Sequence, residues 1–371
     1  MTISIDVGFG YVKATNESGE TLHFPTIIKE KNEKSLFNSD VDYQIKINGM
    51  EYYIGEIASS KKAIRNWRND KTMNEDTEKY VALCCHLLSP YQKSEIKVKL
   101  IIGIPYSYFI EQIDDPKLTS NLEGKHFETT YEDTTKYFTI NSVVVYPQGV
   151  GAYMFNILDI YGTPRIGAKD LIRALVIDIG YKTVDVVAFD NINGRFVLVQ
   201  ENSFSLEDSG TINIVNHIVN VLSVEVQFDE SEVERWLRSG NGVIQYGGGE
   251  FNVKEYEDEA TVELANRIAK SINVKLQNDI KKYKNIFLTG GGATLLFPTL
   301  SKIYTNMELQ DDCIFCNCKG YLAIEKGQEI SQKNTSENTS NGVSDNTQDN
   351  PPEKVQKMTK TRKKEQTENL A

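Results

Sequence analysis

Residues 6–13 read "DVGFGYVK", and residues 178–185 read "DIGYKTVD". Each stretch ends a short apolar run on an aspartate and sets a glycine two residues later. One Asp-x-Gly is ordinary turn chemistry. Two of them, 172 residues apart and each embedded in a similar series of elements, imply a duplicated unit. "TISIDV", "YVKATN" and "TLHFPTII" read as three strands around the first copy. "RALVIDIG", "TVDVVAFD" and "GRFVLVQENSF" repeat them around the second. Superimposing Asp6 on Asp178 puts Gly8 on Gly180 and Lys13 on Asp185.

A glycine in such a turn lets backbone N–H groups approach phosphate oxygens. An aspartate fixed at a strand end can hold hydrated Mg²⁺ through the metal's waters. Lys13 adds positive charge to the first turn, whereas Asp185 adds negative charge to the second. Two such turns facing each other would clamp a polyphosphate with its metal. A third glycine site, "LTGGGAT", sets Gly290, Gly291 and Gly292 between a strand and a helix start, where bare backbone can lie against an α-phosphate or sugar. By contrast "QYGGGEF" reads as a hairpin loop without ligand, and "YQIKINGMEYYIG" as a hairpin turning at Asn48-Gly49.

Strand and helix patterns alternate along the body, so the class is α/β. With a formal charge of −11, the chain is too acidic for its body to bind nucleic acid directly. No apolar run reaches membrane-spanning length. The chain opens on a strand pattern rather than a secretory leader, and five cysteines suit a reducing cytoplasm, the expected location. Cys84–Cys85 and Cys313–Cys316–Cys318 could in principle gather around zinc; packing is the plainer reading, because no histidine stands near the second group. From residue 331 the sequence turns polar, with a basic cluster of Lys354, Lys357, Lys360, Arg362, Lys363 and Lys364 that reads as a solvated tail or a weak electrostatic contact.

These motifs, in this order, resemble the actin-type ATPase superfamily of actin, bacterial actin-like filament proteins, large heat-shock chaperones and sugar kinases. "DVGFGYVK" is similar to its first phosphate loop and "DIGYKTVD" to its second. "YPQGVGAY" is similar to its first connecting helix, "LTGGGATLL" to its adenosine loop and "NCKGYLAIEKG" to its second connecting segment. The resemblance implies an actin/hexokinase-like, duplicated ribonuclease-H-type fold with a nucleotide cleft between two lobes. Lobe I would span 1–148, with a small subdomain at about 29–77. Lobe II would span 149–310, with a small subdomain at about 205–284. Residues 311–328 would return to lobe I, and 329–371 would form a disordered tail.

The resemblance further implies that Asp6 and Asp178 bind hydrated Mg²⁺, while Gly8, Phe9, Gly10, Lys13, Gly180, Lys182 and Thr183 surround the phosphates. Gly290, Gly291, Gly292 and Gly320 would complete the nucleotide pocket. Gln148 would orient the attacking water, since a neutral amide positions rather than deprotonates, and Asp185 would help hold metal or water. Lys182 departs from the Gly or Asp usual there. "PQGVGAY", "KNIFLTGGGATLL" and "CKGYL" look most like ParM-type plasmid-segregation actins. That branch implies an ATP- (or GTP-) driven, self-assembling filament that reaches plasmid DNA through a DNA-binding adaptor, away from any membrane. A sugar-type kinase is the rival from another class; Gln148 without a neighbouring acid argues against it, because a kinase needs a base at the acceptor. A phage or chromosomal actin with other cargo is the third reading.

Overall fold

The computed structural model describes residues 1–31, 43–56, 58, 73–92, 94–114, 116–165, 167, 173–192, 195–222, 230–240, 242–246 and 248–340. Lobe I begins with β1 (Thr2–Val7), β2 (Tyr11–Asn16) and β3 (Thr21–Pro25). Next come β4 (Ile28–Glu30), β5 (Tyr43–Ile47), β6 (Met50–Ile54), α1 (Met73–Leu88) and β7 (Ile96–Ile104). The lobe closes with α2 (Tyr106–Asp114), α3 (Lys117–Leu122), β8 (His126–Tyr131) and β9 (Thr134–Pro147), and α4 (Val150–Ile157) leads out of it. Lobe II continues with β10 (Arg173–Ile179), β11 (Val184–Ile192), β12 (Arg195–Leu198), β13 (Phe204–Leu206), α5 (Ile212–Leu222) and α6 (Glu230–Ser239). It is completed by β14 (Val243–Tyr246), β15 (Gly249–Asn252), α7 (Lys254–Leu276), β16 (Asn285–Thr289), α8 (Ala293–Ile303) and β17 (Met307–Leu309). The helix α9 (Cys316–Ser340) then returns to lobe I.

Duplication is explicit in the sheets. Lobe I carries the order β3-β2-β1-β7-β9, and lobe II carries β12-β11-β10-β16-β17. In both, the first three strands pair antiparallel and the central strand pairs parallel with the fourth, the ribonuclease-H-type arrangement. β1 is buried along its whole length and β10 from Ala174 onward; β10 runs apolar on both faces until its aspartate, whereas β1 sets Thr2 and Ser4 on the face of Asp6 and Ile3 and Ile5 on the other. In lobe I the sheet continues through β8, β5, β6 and β4. The β5–β6 turn is the expected Asn48-Gly49, with φ of 47° and 87°. β14 and β15 form the hairpin expected of "QYGGGEF".

Two strands expected as continuous are broken. "TLHFPTII" stops at Pro25, because the Thr26 N–H turns to donate to the Gly10 carbonyl (2.9 Å) and its hydroxyl to the Gly8 carbonyl (2.7 Å). "GRFVLVQENSF" is interrupted by a 3₁₀ turn at Gln200–Asn202, where the Ser203 hydroxyl accepts from the Ala188 N–H and donates to the Val199 carbonyl. A third correction concerns 329–340: α9 continues through Ser340, with Ser331 Oγ bonding back to the Gly327 carbonyl and Glu329 pairing with Lys99. The remainder of the expected tail, 341–371 with its basic cluster, lies outside the described residues.

The two lobes exchange helices. α4 leaves lobe I, yet Ala152, Tyr153 and Ile157 pack on Val176, Val187 and Phe287 of lobe II. α9 leaves lobe II, yet Tyr321 and Leu322 pack with Ile101 and Tyr146 of lobe I. The two helices cross at glycines. A Cβ on Gly320 would fall 1.8 Å from the Gly151 carbonyl oxygen, so no other residue fits that approach. Among the described residues no helix is long and apolar enough to cross a membrane.

Candidate functional site

Both Asp-x-Gly turns close in the same way. Gly8 N–H donates to the Tyr11 carbonyl (3.1 Å), and Gly180 N–H donates to the Thr183 carbonyl (2.9 Å). Each is clamped from outside by a threonine that the sequence reading did not single out. Thr26 grips the first turn as described above, and Thr211 N–H donates to the Gly180 carbonyl (3.1 Å). The turns meet: a Cβ on Gly10 would strike Tyr181, and Lys182 Nζ lies 5.1 Å from the centre of the Phe9 ring. The Phe9 ring is therefore buried as a bridge between the turns.

Cross-strand register decides the charge of each turn. Asp6 faces Lys13 across β1–β2, and their side chains form an ion pair at 3.0 Å. Asp178 faces Asp185 across β10–β11. Asp6, Asp178 and Asp185 are all under a tenth exposed. Burial, with the nearby Asp6 charge, pushes the Asp178 carboxyl up to about 6 even though Lys13 and Asn317 pull it down. Burial pushes Asp185 up to about 7, and the Asp178 charge adds to the rise. Burial opposes charge on Lys13, but Asp6 and Asp178 outweigh it and hold the ammonium above its ordinary range.

Two carboxamides bracket the carboxylates. Gln148 Nε2 donates to Asp6 Oδ1 (2.5 Å), and Asn317 Nδ2 donates to Asp178 Oδ2 (2.6 Å). Asn317 Oδ1 in turn accepts from the Gly149 and Ala152 N–H groups, 3.0 Å each, at the start of α4. The sequence reading missed Asn317. Its signal was a repeat of spacing: Gln148-x-x-Gly151 in the first connecting segment and Asn317-x-x-Gly320 in the second. Asp185 reaches across the lobes, accepting from the Tyr106 N–H of α2 (2.8 Å) and from Ser205 Oγ (2.5 Å). Thr183 Oγ1 donates to its other oxygen (3.3 Å). At a second cross-lobe point, Arg238 of α6 pairs with Glu56 at 2.8 Å.

The glycines divide their work. Gly290 has φ of +92°, and a Cβ there would lie 2.2 Å from Asp178 Oδ1. Gly292 packs on Ile179 and Thr211, while Gly291 alone opens onto free space. So Gly290 and Gly292 seat the loop on the second turn, and Gly291 faces open space. Gly320 lies at the helix crossing, against the Gly151 backbone. The thiols have separate surroundings: Cys84 and Cys85 sit in the lobe I core, Cys316 Sγ meets Thr289 Oγ1, and Cys318 Sγ meets the Lys13 carbonyl.

The residues present suit a hard divalent cation. Two buried carboxylates, Asp6 and Asp178, act on the buried Lys13. Among the described residues no three His, Cys, Asp or Glu side chains gather to ligate a metal directly, so the fit is to an ion that keeps its waters, as Mg²⁺ does. Asp6 and Asp178 would hold its waters.

The fold and the two meeting turns together define a two-lobed protein of the actin type. Residues 4–151 match the family model of the N-terminal domain of actin-like proteins, and 176–302 match the C-terminal region of the archaeal, MreB-like actin homologues. The chain belongs to the actin-like superfamily. Among solved structures it is similar to a 15-stranded ParM filament from Clostridium botulinum: 26% identity over 88% of this chain and 99% of that one, TM-score 0.76. A non-polymerisable quadruple mutant of pCBH ParM is 25% identical over the same shares, with a TM-score of 0.75. Ta0583, an archaeal actin homologue solved in complex with ADP, shares the fold at 18% identity, covering 88% of this chain and 99% of that one, TM-score 0.68. No curated protein sequence matches the chain.

Proposed function

We propose that this chain is an ATPase that assembles into filaments with nucleotide bound and hydrolyses it within them, moving plasmid DNA through a DNA-binding adaptor. The observation that carries the reading is the pair of superposable turns, one neutralised by Lys13 and one left acidic, meeting between two lobes. The first turn and Lys13 would face the β- and γ-phosphates, and Gly180, Lys182 and Thr183 would line the other side. Mg²⁺, when bound, would neutralise charge on the phosphate oxygens. Gln148 spends an N–H on Asp6, so its carbonyl oxygen is the acceptor left to orient a water. Asp185 keeps lobe II against the start of α2, so lobe closure and site assembly are one event.

Similarity at 25–26% identity to ParM chains, one solved as a filament, supports self-association as the output of that closure. ATP is the expected nucleotide, with GTP as the alternative. The adaptor and plasmid follow from the ParM likeness and from the acidic charge, which favours indirect contact with DNA.

High-speed sedimentation with and without Mg²⁺-ATP or Mg²⁺-GTP tests this. The expected outcome is nucleotide-dependent pelleting, with phosphate release rising steeply above a critical concentration. A strictly monomeric protein whose turnover requires an added sugar would overturn it in favour of a kinase.

A further inference from the structure

Asn317 sits where three structural demands coincide. It lies on α9 one turn before the glycine crossing, and a Cβ on Gly151 would fall 2.2 Å from the Asn317 carbonyl oxygen. Its position relative to α4 is thus fixed by backbone contact. The side chain is 4% exposed, and each end of the amide has partners. The oxygen accepts from Gly149 and Ala152, two N–H groups at the N-terminus of α4. The nitrogen donates to Asp178 Oδ2. Reversing the amide would turn donors on donors and oxygen on carboxylate, so the contacts fix its orientation.

Capping α4 does not by itself call for asparagine. Aspartate caps a helix N-terminus as well, and its charge suits the helix dipole. At 2.6 Å from Asp178, however, a second carboxylate would face like charge in a buried site. Asparagine is the short side chain that accepts from the helix and donates to the carboxylate at once. Gln148 stands in the matching relation to Asp6, three residues before the other crossing glycine, so each connecting segment holds the carboxylate of the lobe it leaves.

We infer that Asn317 is a positioning residue that sets the orientation of the Asp178 carboxylate from the crossing point of the two connecting helices. A rotation of one lobe on the other, which must pass through that crossing, then turns the carboxylate as well. Readiness to receive the metal is coupled mechanically to lobe closure. The inference rests on the reading of the cleft as a Mg²⁺-nucleotide site.

The test uses the full chain and a fluorescent ATP analogue, with affinity measured in excess Mg²⁺ and in EDTA and melting curves recorded to confirm folding. The ratio of the two affinities is the readout. In Asn317→Ala that ratio should fall by about tenfold or more, because the supports of metal-facing groups carry effects of that size. An equal loss in both conditions, leaving the ratio at its wild-type value, would show that Asn317 only joins two helices and would overturn the inference. If the alanine variant fails to fold, Asn317→Asp takes its place. Its carboxylate reaches as far as the amide and can still accept from α4 but cannot donate to Asp178, and the same fall is expected. A wild-type ratio of one would overturn the metal reading of the cleft, and the inference with it.

Discussion

The turn at Asp6 and the turn at Asp178 share a backbone and differ in charge. Both end a buried central strand, both close glycine N–H on the carbonyl three residues ahead, and both are clamped by a threonine. Across the strands, however, Asp6 meets a lysine and Asp178 meets another aspartate. Lobe I is balanced within itself. Lobe II keeps two buried carboxyls, and the cation that acts on Asp178, Lys13, belongs to the other lobe. Duplication supplied the geometry, and one divergent position on the second strand supplied the polarity that makes the lobes complementary rather than redundant.

The largest break in that comparison is Asp178→Ala. Removing the acidic member should drop phosphate release at least about a hundredfold, since charge-stabilising groups at a phosphoryl site have effects of this order. Turnover at the wild-type rate in that variant would remove Asp178 from the site.

Second in size is Asp6→Ala, read by denaturant unfolding. It strands the buried Lys13 ammonium and should cost about 3–5 kcal/mol. A change of less than about 1 kcal/mol would mean that the pair is solvated and the two turns are not electrically distinct.

The smallest effect is a change of slope. Asp185 titrates near 7 in the fold, against about 3.9 for an ordinary aspartate. Between those values the folded chain holds a proton that the unfolded chain has released. The contribution to stability is therefore complete below about pH 4 and lost as pH rises through about 7. Asp185→Asn keeps the acceptor for Tyr106 and Ser205 but cannot ionise. Without divalent metal, its melting temperature should fall less than that of wild type between pH 5 and pH 8. Parallel curves for the two proteins would contradict the burial of an ionisable group there.

The comparison also shows what the sequence could and could not carry. The paired turns were readable because an Asp-x-Gly after an apolar run is local chemistry, and because strand period places Lys13 and Asp185 opposite their aspartates. The Asn48-Gly49 and "QYGGGEF" hairpins were readable for the same reason. Thr26 was not: its work depends on the strand breaking at Pro25, and that break exists only because the turn it clamps lies alongside. Asn317 acts 139 residues away from Asp178, and no local pattern announces that contact. The amide-x-x-glycine spacing was visible, but its meaning required knowing that Gly151 and Gly320 touch. The packing role of Gly320 was hidden for the same reason, since a glycine beside a ligand and a glycine beside a backbone look alike in sequence. The extension of α9 to Ser340 was hidden by polar composition, which resembles that of a tail.

The claim on which the rest depends is that both turns grip one nucleotide with its metal between the lobes. A structure of the protein with a non-hydrolysable ATP analogue and Mn²⁺, read by anomalous scattering, tests it most directly. The account predicts a single metal peak on the order of 4 Å from the carboxylates of both Asp6 and Asp178, as expected for contact through water, with the polyphosphate between Gly8–Gly10 and Gly180–Lys182. A metal near only one of the two aspartates, or a nucleotide bound outside the cleft, would contradict it.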